Sequence, residues 1–78
     1  MNFSNKLKEV RIKKKLLKSQ VAKLFSWTPM YYGRYENGSL VPSKSNIHKF
    51  AEFMNISIPD LEILILNEKG ENNEKMGD

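Results

Sequence analysis

TPMYYGRYENGSLVPS, residues 28–43, holds the start and stop signals of one short helix and the start signal of the next. The Thr28 side chain can accept from an orphan amide of a first helical turn, and Pro29 at the first helical position has no amide to orphan. At the other end, Asn37 and Gly38 are residue types that tolerate the left-handed conformation of a helix terminus. A helix is therefore predicted from Thr28 to about Glu36, and Pro42-Ser43 opens a further one in the same manner.

Upstream of this stretch, Leu16, Val21, Ala22, Leu24 and Phe25 predict a short helix over about 18–25, with Lys18, Ser19 and Gln20 in its first turn. Ser26, Trp27 and Thr28 form a break after it. Earlier still, Phe3, Leu7 and Val10 fall at i, i+4, i+7 and put one apolar stripe on a helix over about 4–14, whose other faces carry Lys6, Lys8, Lys13 and Lys14. Downstream, Ile47, Phe50, Ala51 and Met54 repeat the helical spacing. Ser57 with Asp60 three residues on resembles a capping box for a fifth helix, about 58–66. Alternating β-branched runs are missing, so the fold class is all-α, with five short helices in a domain over 1–66. From Asn67 the chain reads NEKGENNEKMGD with no large apolar residue before Met76, which predicts a disordered acidic-polar tail over 67–78.

A chain of 78 residues buries only about 60% of the surface its unfolded form exposes. It has one modest core and no room for a cleft between lobes. The absence of cysteine excludes a disulfide scaffold, a thiolate zinc site and a cysteine nucleophile, and fits a reducing compartment. His48 is the one histidine and has no ligand-type residue at metal spacing. Paired carboxylates, a nucleophile with a base and a phosphate-cradling glycine loop are all missing, so neither catalysis nor a cofactor or metal is expected. The longest apolar run, Ile63 to Leu66, is far below the ~18 residues of a membrane span. No apolar signal-peptide core follows the basic stretch within Met1 to Lys15, which predicts a cytoplasmic protein. Charge is divided unevenly: residues 1–50 carry eleven basic and two acidic side chains, residues 51–78 two basic and seven acidic. The first fifty residues call for an anionic partner.

A short helix, a three-residue break and a second helix opened by Thr-Pro have helix-turn-helix spacing, at about 18–36, in which the second helix can enter a DNA major groove. Leu16, Ala22, Phe25, the run Arg34-Tyr35-Glu36-Asn37-Gly38, Pro42-Ser43, Ala51, Asn55-Ile56-Ser57 and Leu61 together make the chain resemble the lambda-repressor-like (Cro/CI-type, XRE) helix-turn-helix family over about residues 3–66. The resemblance implies a five-helix DNA-binding domain. By position it places Pro29, Met30 and Arg34 where side chains reach base edges; of these only Arg34 can make a bidentate contact, to the O6/N7 edge of guanine. It also implies a phosphate contact from Lys18 and a partly buried ion pair between Arg11 and Glu36; on the DNA-binding reading, Lys44, Asn37 and Ser39 are expected to join Lys18 on phosphates. Tyr32 and Tyr35 match core positions. Tyr31 faces the other way, as a phosphate contact or plain exposed surface, and Trp27 is assigned to packing ahead of DNA contact.

Several residues depart from the family pattern. Lys18 stands where the family usually has Gln, and offers a phosphate a point charge instead of an orienting amide. Lys15, Ser26 and Asn55 stand just after helices where Gly is common, and a left-handed conformation there costs roughly 1 kcal/mol for a side-chain-bearing residue. Gly33 lies inside the recognition helix, where it either admits close backbone approach to DNA or loosens the helix.

Leu61-Glu62-Ile63-Leu64-Ile65-Leu66 is apolar at five of six positions. One stripe of Leu61, Leu64 and Ile65 suffices for a helix on a small core, which predicts a homodimer interface drawn from Leu61, Ile63, Leu64 and Leu66. The functional expectation is a sequence-specific regulator of transcription that represses by occupying a roughly palindromic double-stranded operator. The rival is an antitoxin-like or other protein-interaction module that also binds DNA and holds a protein partner through its C-terminal tail. A membrane-surface role for the basic first helix ranks lower, because the resemblance runs through all five helices.

Overall fold

In the computed structural model, which describes residues 1–77 and the side chains of residues 1–70, Asn2 stands extended ahead of α1 (Phe3–Lys13). Its side-chain oxygen accepts from the Asn5 amide at 3.0 Å, the capping role to which asparagine is suited. Four further helices follow: α2 (Lys18–Leu24), α3 (Pro29–Glu36), α4 (Ile47–Met54) and α5 (Ile58–Gly77). No strand occurs among the described residues, and no helix among them is long and apolar enough to cross a membrane. The fold is all-α, as the spacing predicts, and lambda-repressor-like, as the resemblance implies.

Phe3, Leu7, Val21, Ala22, Tyr32, Tyr35, Phe50, Ala51, Met54, Leu61 and Ile65 form the core. α1 packs on α3 and α5, α2 on α3, and α4 on α5, so the helix after the turn rests on both helices that precede it. Aromatic rings fill much of the centre: Phe50 meets Phe3 edge-on at 5.1 Å and Phe25 at 5.1 Å, and Trp27 stacks on Tyr35 at 5.3 Å and 11°. Such pairs add about 0.5–1.5 kcal/mol beyond the area they bury. Trp27 thus has the packing role expected of it.

The helix ends reuse one device. Lys15, Ser26 and Asn55 all adopt φ near +60°, and Gly38 has φ +86°. The following amides reach back to the last turn: Leu16 N–H to the Arg11 carbonyl at 3.2 Å, Trp27 to Ala22 at 2.8 Å, Ser39 to Arg34 at 3.0 Å and Ile56 to Ala51 at 3.1 Å. These bonds satisfy carbonyls that the helix itself leaves unpaired. Only at Gly38 is the left-handed conformation free of side-chain strain.

Two boundaries correct the sequence reading. Pro42-Ser43 does not open α4: residues 44–46 form a turn first, with the Ser43 carbonyl accepting from Ile47 N–H at 2.9 Å, and the helix begins at Ile47. The larger correction concerns the expected disordered tail. α5 does not stop at Leu66 but continues to Gly77, and its Glu68 is only 3% exposed. Glu68 Oε1 accepts from the Ser4 amide at 2.8 Å, and Asn67 Nδ2 donates to the Met1 carbonyl at 2.9 Å. Ser4 N–H is one of the amides that the first turn of α1 cannot satisfy internally, and a carboxylate there is also favoured by the helix dipole. Leu61, Ile65 and Glu68 lie at i, i+4, i+7, so the buried stripe of α5 ends in an acid that closes on the start of α1. Residue 78 and the side chains of 71–77, on which the expected contact with a protein partner falls, lie outside the described residues.

Candidate nucleic-acid interface

An ion pair ties the end of α3 to α1. Arg11 on α1 meets Glu36 at the end of α3 with Nε–Oε2 2.6 Å and Nη2–Oε1 3.2 Å, the two side chains being 12% and 3% exposed. Arg11 Nη1 also donates to the Leu16 carbonyl at 2.9 Å, and the Tyr32 hydroxyl donates to Glu36 Oε2. One guanidinium therefore fastens the last turn of α3 and the entry to α2 to the first helix. The hydrogen bond to Glu36 raises the Arg11 pKa above its ordinary value. Burial, with the Glu36 carboxylate beside it, pushes the Tyr32 hydroxyl well above the usual tyrosine range. The expected ion pair is present, and Tyr32 is a third member that the sequence did not announce.

Thr28 caps α3, its Oγ accepting from Tyr31 N–H at 3.1 Å, with Pro29 first in the helix. Met30 and Arg34, one turn apart, line a single hollow with Thr28 and Tyr31. Pro29 is exposed at the helix start but is not part of that lining. The structure thus brings together two of the three candidate base-contacting residues.

Tyr31 does not face away from the aromatic cluster as expected. Its ring meets Trp27 edge-on at 4.9 Å and its hydroxyl lies 3.0 Å from that of Tyr35. Asn46 Nδ2 approaches the Tyr35 oxygen at 3.4 Å. Burial foremost, then the bond with Tyr31, pushes the Tyr35 hydroxyl up to about 12. If Tyr35 donates to Tyr31, the Tyr31 proton is left for an acceptor outside the protein.

The other candidates for phosphate contact are exposed, with specific restrictions. Lys18 opens α2. Asn37 Oδ1 accepts from the Ser39 amide at 2.9 Å, and both residues are exposed. Lys44, in the turn before α4, lines a hollow with Ile47, Glu62 and Leu66 and so lies beside α5. In α5 itself Leu61 is fully buried and Leu64 half-buried against the core, while Ile63 and Leu66 are 57% and 67% exposed. Leu61 is therefore removed from the expected dimer interface. A larger open hollow of about 470 Å³ between Lys14, Phe25, Lys49 and Phe53 includes none of the candidate DNA-contacting residues.

Glu68 is the residue that sequence reasoning missed. Besides capping α1, its carboxylate lies against Gly38, where an added Cβ would meet Oε2 at 3.0 Å. The turn that carries Asn37 and Ser39 is thereby braced by the far end of the chain.

A short helix, a four-residue link and a second helix that exposes Pro29, Met30 and Arg34, all held on one core, define a helix-turn-helix DNA-binding domain. The chain belongs to the Cro/CI-type (XRE) helix-turn-helix family: the family model described as helix-turn-helix matches residues 7–61. Neither the curated proteins nor the solved structures compared with the chain include a match.

Proposed function

We propose that the protein is a transcriptional repressor that works in the cytoplasm, binding a specific duplex operator with α3 in the major groove and excluding polymerase from it. The observation that carries this reading is the exposed face of α3, where Arg34, without a hydrogen-bond or ion-pair partner among the described residues, lines one hollow with Met30 on a helix tied down by the Arg11–Glu36 pair. Arg34 reads a guanine edge, Met30 makes apolar contact, and Pro29 sets the start of the helix. Lys18, Lys44, Asn37, Ser39 and Tyr31 contact phosphates and supply affinity without sequence preference.

The operator is roughly palindromic and the protein binds it as a homodimer. Exposed Ile63 and Leu66, with the rim of Leu64, supply the apolar contact on α5, and a twofold axis through them buries each patch against its copy. One domain with one strong reader distinguishes too few base pairs against a genome of competing sites. The reading is tested by selecting bound sequences from random duplex with the wild type and with Arg34→Ala. The wild type enriches a site with a guanine in each half, and Arg34→Ala loses about 1–3 kcal/mol of preference at that base pair. Equal losses on selected and random duplex would show Arg34 to be a backbone contact.

A further inference from the structure

A buried acid supports the turn between α3 and α4. Asn2, Ser4 and Glu68 are all buried and gather at one place: Ser4 Oγ donates to Asn2 Oδ1 at 3.3 Å, and the Ser4 amide donates to Glu68 Oε1 at 2.8 Å. Asn67, the preceding residue of α5, donates from Nδ2 to the Met1 carbonyl at 2.9 Å. The start of α1 and the turn of α5 that carries Glu68 therefore hold each other. The second carboxylate oxygen lies against Gly38. That glycine has φ +86°, and a Cβ on it would meet Oε2 at 3.0 Å and Ser4 Oγ at 3.9 Å. Glu68 thus packs on the residue between Asn37 and Ser39, and it lies beyond the segment that the family model matches.

This carboxylate acts on phosphate binding in two opposed ways. Its charge repels the phosphates that Asn37 and Ser39 contact, but a unit charge acting through salt water at about 8 Å changes an equilibrium constant by less than about twofold. Its bulk and its bond to Ser4 hold the turn in one conformation, so the donors there lose little further freedom on binding. The Ser39 amide shows how closely the turn is specified, donating both to the Arg34 carbonyl at 3.0 Å and to Asn37 Oδ1 at 2.9 Å. One neutral hydrogen bond kept in register is worth about fivefold, so position outweighs repulsion.

We propose that Glu68 is a positioning residue for DNA binding, which holds the Asn37–Ser39 turn in the conformation that meets phosphate and so couples the docking of residues 67–68 on the start of α1 to operator affinity. The proposal rests on the DNA reading above and goes beyond it by naming a determinant of affinity that touches no nucleotide. By linkage, operator binding tightens that docking, and anything that draws residues 67–68 away from α1 weakens operator binding by the same factor.

The test uses the full chain, the duplex selected from random sequence, and variants whose folding at the binding temperature is checked by circular dichroism. Glu68→Ala is expected to weaken binding about fivefold per half-site, the worth of one neutral hydrogen bond, on selected and random duplex alike. The slope of log Kobs against log salt stays within about 0.5 of the wild type, because Asn37 and Ser39 are neutral and a lost cationic contact would change it by about 0.9. Glu68→Gln keeps the bulk against Gly38 and an acceptor for the Ser4 amide while removing the charge, and is expected to bind at least as tightly as the wild type. In an Asn37→Ala, Ser39→Ala background the contacts that Glu68 positions are gone, so adding Glu68→Ala should cost less than about twofold. If Glu68→Ala does not fold, Glu68→Asp, which draws the carboxylate back by one methylene, takes its place with the same expectations. Wild-type or tighter binding by the folded variant would leave Glu68 a residue of stability alone and overturn the proposal while the DNA reading stands. An equal loss in Glu68→Gln, or an undiminished loss in the Asn37→Ala, Ser39→Ala background, would overturn it as well. Failure of the wild type to enrich any duplex would overturn the DNA reading itself, and the proposal with it.

Discussion

Replacing Glu36 by Gln isolates the contribution of one charge at almost constant volume. The carboxylate is 3% exposed and takes two hydrogen bonds from Arg11 and one from Tyr32. Glutamine keeps one acceptor oxygen but turns an amide toward donors, and it leaves a guanidinium that is 12% exposed without its anion. Breaking a buried pair by removing one partner costs about 3–5 kcal/mol. A domain of this size has a total stability of about 4–12 kcal/mol, so Glu36→Gln is expected to remove a large share of it. At about 4–8 °C per kcal/mol, the melting temperature falls by at least about 12 °C. Urea unfolding followed by far-ultraviolet circular dichroism measures the loss directly. The triple replacement Arg11→Met, Tyr32→Phe and Glu36→Leu removes every polar member together and should return to within about 2 kcal/mol of the wild type, since apolar groups of similar volume replace buried pairs at little net cost. A loss below about 1 kcal/mol for Glu36→Gln would place the pair with solvent-screened surface bridges and refute its role in fixing α3.

Three further outcomes follow from the same structure. Tyr32 and Tyr35 are held neutral, their hydroxyl pKa values raised above the unfolded 10.0 and that of Tyr35 to about 12; the folded state then keeps protons that the unfolded chain loses, so stability is intact below about pH 10 and falls as the pH rises toward 12 and beyond. Urea midpoints between pH 8 and 11 check this, and Tyr35→Phe should flatten the decline. Lys15→Gly and Ser26→Gly relieve the left-handed strain at φ +60° and should each stabilise the domain by up to about 1 kcal/mol in the same assay. Glu68→Ala leaves the Ser4 amide without its acceptor and should cost about 1–3 kcal/mol, whereas a disordered tail at that position would make the change neutral.

Much of this architecture is legible in the sequence because local chemistry and tertiary packing agree there. Thr28-Pro29 and Asn37-Gly38 bracket α3 as capping rules require, and the departures at Lys15, Ser26 and Asn55 sit at the left-handed positions their place after a helix implies. Local pattern and structure part where a polar residue serves the fold. Scored by apolar periodicity, residues 67–70 offer nothing. The stripe of α5 nevertheless continues through Glu68, whose partner is a backbone amide 64 residues away. At Pro42-Ser43 a genuine start signal precedes a turn, and the helix waits for Ile47, the first residue of the apolar stripe. The helical position of Tyr31 suggests an outward side chain, whereas Trp27 in the preceding turn gives its ring a surface to pack on.

Affinity of the wild-type chain for its selected duplex, measured as a function of salt beside random duplex and single strands, tests the central claim most directly. In the proposed dimer, Lys18 and Lys44 of each protomer would supply four phosphate contacts, so log Kobs should fall against log salt with a slope of about −3 to −4. At physiological salt the selected duplex should be bound at least about a thousandfold more tightly than random sequence. A slope near zero, or equal affinity for the selected duplex, random duplex and single strands, would contradict the account.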